Sequence, residues 1–383
     1  MVFTCTEEQR ELRDGLAPFC ETINEGHIER DARAEFSHDA WKTLRGSGIL
    51  GLPFGEEWGG LGQDLVTTMF VLEGLGQGCR DGGLLFSTTT HIVSTGVPLA
   101  RFGSRELKDR YLPAVCDGSL IGAHAISEPG SGSDALAMRT TAKKVDGGWV
   151  LSGSKTFISN APIADVVVVY ARTDPAGGPL GITTFLVDTS SLGFSVGQPI
   201  AKMGLKTSPM AEIYLDDCFV PDGNVIGRRG MGFLILDHVM KWEILLSFVI
   251  NTGEMQHRVE RCVEYANERH QFGRPIGANQ SVQNRIVDMK IATESARKWL
   301  YDTAEKLQRG ETITTDLAIA KLVASEANLS TSIAAVNVFG GNGYMAEYGL
   351  EKDVRNAVGG TIYSGTSDIQ RSRIAAMLKL PTS

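Results

Sequence analysis

The six cysteines, at positions 5, 20, 79, 116, 218 and 262, include no Cys-x-x-Cys pair, so neither a zinc knuckle nor a dithiol redox motif is supported. In a chain of 383 residues they read as buried or free thiols of a reducing compartment. The seven histidines show no His-Glu-x-x-His spacing, and no metal site is expected. There is no Gly-x-x-x-x-Gly-Lys-Ser/Thr loop and no Gly-x-Gly-x-x-Gly opening a helix in a βαβ unit. There is also no Gly-x-Ser-x-Gly elbow. P-loop, Rossmann and serine-hydrolase readings therefore lack an anchor. Apolar runs such as residues 166–171 fall far short of the roughly 20 residues a membrane span needs. Positive charge is in deficit, with 37 Lys and Arg against 45 Asp and Glu and a net charge of −8. A general nucleic-acid binder is excluded on that ground, while small anionic ligands stay open. The N-terminal stretch MVFTCTEEQRELRD carries early acids and no apolar segment, so neither a secretory signal nor a transit peptide is expected, and a cytoplasmic protein is.

What is present falls into three zones. Residues 1–118 read as helical, with a helix over 8–17 starting after the cap Thr6, and others over 39–45 and 67–75. Residues 119–228 carry β-branched or alternating runs at 140–145, 149–152, 165–170, 183–187 and 212–215, a β-barrel or sandwich pattern. The turns at Asp146-Gly147-Gly148 and Pro221-Asp222-Gly223 are expected to use φ > 0. Residues 229–383 return to long helices over 233–269, 280–309 and 315–339, which at that length bury against one another as a bundle. The fold class expected is mostly α with a separate β domain, bounded near 118 and 228.

Taken alone, the motifs are open to bland readings. The segment EPGSGSDA at 128–135 is a polar loop by composition, and the glycines at 340–343 are a helix C-cap and turn. His124 lies beside that loop, where it faces a ligand or packs as an ordinary buried histidine. Glu243 sits in MKWEILL at 240–246, among bulky apolar neighbours. A carboxylate partly removed from water is a better proton acceptor near neutral pH. Periodicity equally allows Glu243 to point to solvent on a polar stripe with Ser247 and Glu254.

Five segments together resemble the acyl-CoA dehydrogenase family over essentially the whole chain. They are AHAISEPGSGSD at 123–134, GSKTFISN at 153–160, and ERHQFGRPI at 268–276 followed by Gln280. The remaining two are FGGNGY at 339–344 and IYSGTSDIQ at 362–370. The resemblance implies an N-terminal helical domain, a central β domain and a C-terminal four-helix bundle, with one FAD per subunit. Ile126, Ser127 and Ser133 would lie along the flavin ring, with Phe157 and Ser159 on its other side. Arg269, Phe272, Gln280, Asn337, Gly340 and Gly341 would reach FAD across a subunit interface. Thr366 and Asp368 would lie near its diphosphate and adenosine. That pattern implies a homodimer or homotetramer. Ser133, Tyr363 and the backbone of Ser364 would face the substrate.

Most of the family carries its catalytic base as Glu where this chain has Ser364, and a serine hydroxyl is far too weakly basic without a second base. A minority places the base on the first long bundle helix, where Glu243 stands. With Ile244 after it and Phe157 in place of the common Trp, the resemblance points to a secondary-metabolism branch acting on groups tethered to carrier proteins. The expected activity is FAD-dependent dehydrogenation of a short acyl thioester, on an acyl carrier protein or CoA, with Glu243 as base. Electrons would pass to an electron-transfer flavoprotein or oxygen. A prolyl-carrier-protein oxidase and a flavin monooxygenase on the same fold are the alternatives.

Overall fold

The structure, a computed structural model, describes residues 5–381; the first four residues of the N-terminal stretch read above lie outside it. The first third of the chain folds as helices α1 (Glu7–Asp14), α2 (Ala17–Asn24), α3 (His27–Arg33), α4 (His38–Gly46), α5 (Leu65–Gly78), α6 (Gly82–His91), α7 (Val97–Phe102) and α8 (Arg105–Cys116). Thr6 caps α1 as expected, in a reciprocal pair with Gln9. The helix expected to run to residue 17 stops at Asp14, because the Gly15 N–H turns back onto the carbonyls of Arg13 and Glu11 and Pro18 opens the next helix.

Strands follow: β1 (Gly122–Ala125), β2 (Thr141–Val145), β3 (Gly148–Ser159), β4 (Val166–Arg172), β5 (Ile182–Asp188), β6 (Phe194–Val196), β7 (Met210–Pro221) and β8 (Val225–Ile226). They form one sheet in the order β6-β7-β3-β2-β4-β5-β8, with β1 parallel to β4 from Gly122 opposite Val166 to Ala125 opposite Val169. The four-residue β1, Gly-Ala-His-Ala, has no β-branched residue and was not legible as a strand. β4 is buried on both faces. Val166, Val168 and Tyr170 join the large helical core, while Val167, Val169 and Ala171 fill the sheet's own interior. Gly147 takes φ +71°, but Gly223 does not adopt positive φ. Residues 222–224 form a 3₁₀ turn instead, with Asn224 donating to the Leu186 carbonyl at 3.0 Å.

After β8 come α9 (Gly232–Glu268), α10 (Gln280–Gln308), α11 (Thr314–Phe339), α12 (Gly341–Tyr344), α13 (Leu350–Gly360) and α14 (Ser367–Met377). Helices α9, α10, α11 and α13 pack as the C-terminal bundle, with α14 against α11 and α5 laid along α9. The α5–α9 crossing is a backbone approach. A Cβ on Gly253 would collide with the Glu73 carbonyl and one on Gly76 with the Ile250 carbonyl, so glycine on both helices sets their separation. All six cysteines are free.

Candidate active site

The middle of α9 is buried all round, residues 244–250 being buried and, Ser247 apart, apolar. Glu243 is the last polar side chain before that stretch, and its side chain is 22% exposed. Burial pushes its carboxyl above the usual range, and a hydrogen bond from Ser364 opposes the shift. Ser364 Oγ donates to Glu243 Oε1 at 2.5 Å. Ser364 lies in the turn between α13 and α14 with φ +56°, followed by Gly365 at φ +86°. Gln370 Nε2 fixes that turn by donating to the carbonyls of Ser364 at 3.0 Å and Gly365 at 3.3 Å.

His124, on β1, brings Nδ1 to 4.0 Å from Glu243 Oε2, and its side chain is 7% exposed. Burial and the charge of Lys155 push it down to about 3, so it is a neutral neighbour of the carboxylate and not an ion-pair partner. Its Nε2 and the Tyr170 hydroxyl have no hydrogen-bond partner among the described residues, and the two rings meet edge to face at 5.2 Å. His124 is thus both packed and turned to the site. The polar stripe proposed for solvent is turned inward too. Ser247, Asn251 and Glu254 face Phe86, Asn356 and Tyr363 around a cavity of about 20 Å³, roughly the room of one water. Tyr363 stands between Phe86 at 4.8 Å and Phe248 at 5.4 Å.

A second group lies at the end of β1. Lys155 is fully buried, and its Nζ donates to the Ile126 carbonyl at 3.0 Å and to Glu128 Oε1 at 2.9 Å. Glu128 also accepts from the amides of Arg139 at 2.6 Å and Thr140 at 2.9 Å, and the Thr156 amide donates to the Ser127 carbonyl at 2.9 Å. Burial raises the Glu128 carboxyl, but Lys155 and these donors more than offset it; burial pushes Lys155 down to about 8. The loop 126–140 is thereby fastened to β3. At the β3 bulge Phe157 takes φ +59° and is 63% exposed. An aromatic residue in that strained conformation, open to solvent, is a platform for a planar ring. Ser127 and Ser159 are half-buried beside it, and Ser133 is exposed. The framework residues Lys155, Glu128 and Asn160 were not singled out from sequence. Buried Asn160 ties the end of β3 to the carbonyls of Ser87 at 3.1 Å and Gly122 at 3.2 Å.

The remaining residues gather elsewhere. Arg269, Phe272 (99% exposed) and Gln280 lie around the α9–α10 connection, and exposed Asn337, Gly340 and Gly341 lie at the end of α11. Tyr265 joins these two regions, stacking on Phe339 at 3.9 Å and accepting from Asn342 at 3.0 Å. From Glu243 to Arg269 the helix rises roughly 39 Å, so this group is far from the carboxylate of its own chain. Thr366 caps α14, accepting from the Ile369 amide at 3.2 Å, and Asp368 beside it is exposed.

Among the described residues no group of three metal-ligating side chains gathers, and no helix is long and apolar enough to cross a membrane. The basic stretches 101–110 and 290–306 are partly neutralised, with Arg101, Lys108 and Lys298 left without a carboxylate within ion-pair distance among the described residues. Arg105 pairs with Asp109 and Glu57, Arg110 with Asp188, Lys290 with Glu294, and Lys306 with Asp302 and Asp316.

Comparison with known proteins identifies the family. The acyl-CoA dehydrogenase N-terminal domain matches residues 6–119, the middle domain 123–218 and the C-terminal domain 230–379. An L-prolyl-[peptidyl-carrier protein] dehydrogenase of Pseudomonas fluorescens is 39% identical over 90% of this chain and 91% of its own. One from a Serratia species is 38% identical over 99% of both. The solved structure of PigA with FAD and proline superposes with a TM-score of 0.96 at 37% identity, covering 99% of this chain and 100% of that one. With three domains matched in order and relatives this similar over nearly the full length, the chain belongs to the acyl-CoA dehydrogenase family.

Proposed function

We propose that this protein is an FAD-dependent dehydrogenase of a thioester held on a carrier protein, and that the cargo is a prolyl group. The observation that carries the reading is Glu243. It is a half-buried carboxylate with raised proton affinity on the first long bundle helix, held by the residue that stands where most of the family has its base. The similarity to prolyl-carrier-protein dehydrogenases moves the prolyl group ahead of a linear short acyl chain.

The residues at the end of β1 fit FAD. The strained, exposed ring of Phe157 and the hydroxyls of Ser127, Ser133 and Ser159 offer a flat apolar contact with polar edges, and Ile126 is positioned by Lys155. Bound there, FAD supplies a two-electron acceptor for hydride. Glu243 takes the proton from the carbon next to the thioester carbonyl. Ser364 aims that carboxylate through its hydroxyl. Its backbone N–H has no partner among the described residues and donates to the thioester oxygen, where negative charge builds. Tyr363, wedged between two phenylalanines, bounds the cargo.

Arg269, Phe272, Gln280, Asn337, Gly340 and Gly341 are assigned to the flavin of a second subunit, since their own Glu243 is a helix length away. Thr366 and Asp368 are assigned to the diphosphate and adenosine end. A homodimer or homotetramer follows, with domains parting near residues 118 and 228, in the cytoplasm, and with an electron-transfer flavoprotein or oxygen as acceptor.

The test is anaerobic flavin bleaching by prolyl-carrier, acyl-carrier and acyl-CoA thioesters. Bleaching by the prolyl carrier alone, lost in Glu243→Gln with FAD still bound, supports the reading. Bleaching by acyl carriers but not the prolyl one returns the linear acyl chain to first place. Absence of bleaching by any thioester refutes the dehydrogenase assignment.

A further inference from the structure

Arg101, Arg139, Arg172, Arg228 and Arg229 are among the arginines with no carboxylate within ion-pair distance among the described residues, and hydrogen bonds join the segments that bear them. The Gly227 amide donates to the Phe102 carbonyl at 3.0 Å, which sets Arg228 and Arg229 beside Arg101. Arg229 Nη2 donates to the Thr173 carbonyl at 3.2 Å, next to Arg172. Arg172 in turn donates to the carbonyls of Leu136 at 2.5 Å and Met138 at 3.3 Å, next to Arg139. Arg228 and Arg229 lie just before α9, and Phe102, next to Arg101, meets His238 of that helix edge to face at 5.4 Å. The acids among them are few. Asp237 is paired with Lys241, Asp174 accepts from the Ala176 amide, and Asp134 is exposed. Leu180 (78% exposed), Leu234 (56%) and Phe233 (40%) lie among the arginines. An apolar centre with a cationic rim is the composition of a protein-docking surface for an anionic partner. Arg105 and Lys306, by contrast, are each neutralised by carboxylates on their own or a neighbouring element.

We infer that this surface, centred on Arg228 and Arg229 at the start of α9, docks the acidic face of the carrier protein. The inference rests on the function proposed above. A carrier's cargo hangs from a phosphodiester by a long flexible arm, so the docking site and the base must be an arm's length apart. Exposed Phe233 and Asp237 and half-buried Lys241 follow one another at four-residue steps down α9, and Phe233 lies about 15 Å from Glu243 along the axis. An extended pantetheine arm spans that distance, with its phosphodiester left among the arginines. Arginine suits that group, because its planar fork matches two phosphate oxygens at once. Charge placed at the rim of an interface acts on encounter, so its removal raises the carrier concentration needed and leaves the chemical step alone.

The experiment compares flavin bleaching of the FAD-loaded protein by a prolyl-carrier thioester and by the prolyl thioester of free pantetheine, which lacks phosphate and protein. In Arg228→Glu/Arg229→Glu the half-saturating carrier concentration should rise about tenfold. The limiting rate, bound FAD and response to the pantetheine thioester should stay unchanged. Arg228→Gln/Arg229→Gln should give a smaller rise, and Arg105→Glu none. An unchanged carrier response in the double Glu variant overturns the docking surface, as does equal loss with both substrates. Wild-type protein bleached by the pantetheine thioester and not by the carrier also overturns it, while leaving dehydrogenation standing. Wild-type protein bleached by neither refutes the proposed function itself.

Discussion

Ser364 Oγ and Glu243 Oε1 lie 2.5 Å apart, a hydrogen bond between residues 121 positions apart in the chain. It places a donor at the turn where most of the family carries the base, and turns that donor toward Glu243, the base proposed for this chain. Burial favours the protonated form of Glu243, and the Ser364 hydroxyl favours the carboxylate. The two effects set the pH at which Glu243 can accept a proton.

Glu243→Gln should therefore lower the bleaching rate by about 10²–10⁴-fold, with FAD content unchanged, as single-turnover absorbance would show. The same substitution should make the protein more heat-stable in alkaline buffer. A carboxyl whose folded pKa is raised contributes stability while protonated, and that contribution is lost as pH rises through the folded value. Glutamine stays neutral, so its advantage should vanish in acid. Equal melting temperatures of the two forms across the pH range would contradict the burial argument.

Ser364→Ala removes the hydrogen bond that holds Glu243 toward its charged form. The acid limb of kcat/KM should move to higher pH, with activity falling more in mildly acid than in mildly alkaline buffer. His124 is neutral throughout the working range, so it should add no limb of its own, and His124→Gln should leave the number of ionisations unchanged. A profile of Ser364→Ala superimposable on wild type would remove the positioning role.

Lys155→Met strands the Glu128 carboxylate in the interior. Breaking one side of a buried pair costs about 3–5 kcal/mol, and the loop 126–140 loses its tie to β3. A lower melting temperature together with faster FAD loss on dilution is expected. Lys155→Met with Glu128→Gln should recover part of the stability, because no buried charge then stands alone.

Gly253→Ala forces α5 and α9 apart where their backbones touch. Overpacking of this kind costs about 1–3 kcal/mol, read as a lower melting temperature of the FAD-loaded protein. Gly223→Ala, at a turn with open space around it and no positive φ, should be close to neutral.

The sequence by itself determined much of this protein. Thr6 as a cap, the long helices of the bundle, the β-type run at 165–170 and five ordered segments between 123 and 370 each follow from local patterns, and together they point to one family. Those patterns are written in neighbouring residues, so they are legible without coordinates. β1 was not, since Gly-Ala-His-Ala gains its pairing only from β4, forty-odd residues later. The orientation of Glu243 was not legible either. Residues 244–250 are buried on every side of α9, so no apolar stripe exists there to say which face is inside. Only the packing of α6, β1 and the turn at Ser364 around that helix decided that Glu243 turns inward and finds its hydrogen-bond donor. The same holds for charge. Arg355 finds Asp31 from the far end of the chain, while Arg228 has no carboxylate within ion-pair distance, because long-range ion pairing depends on distances that chain order does not specify.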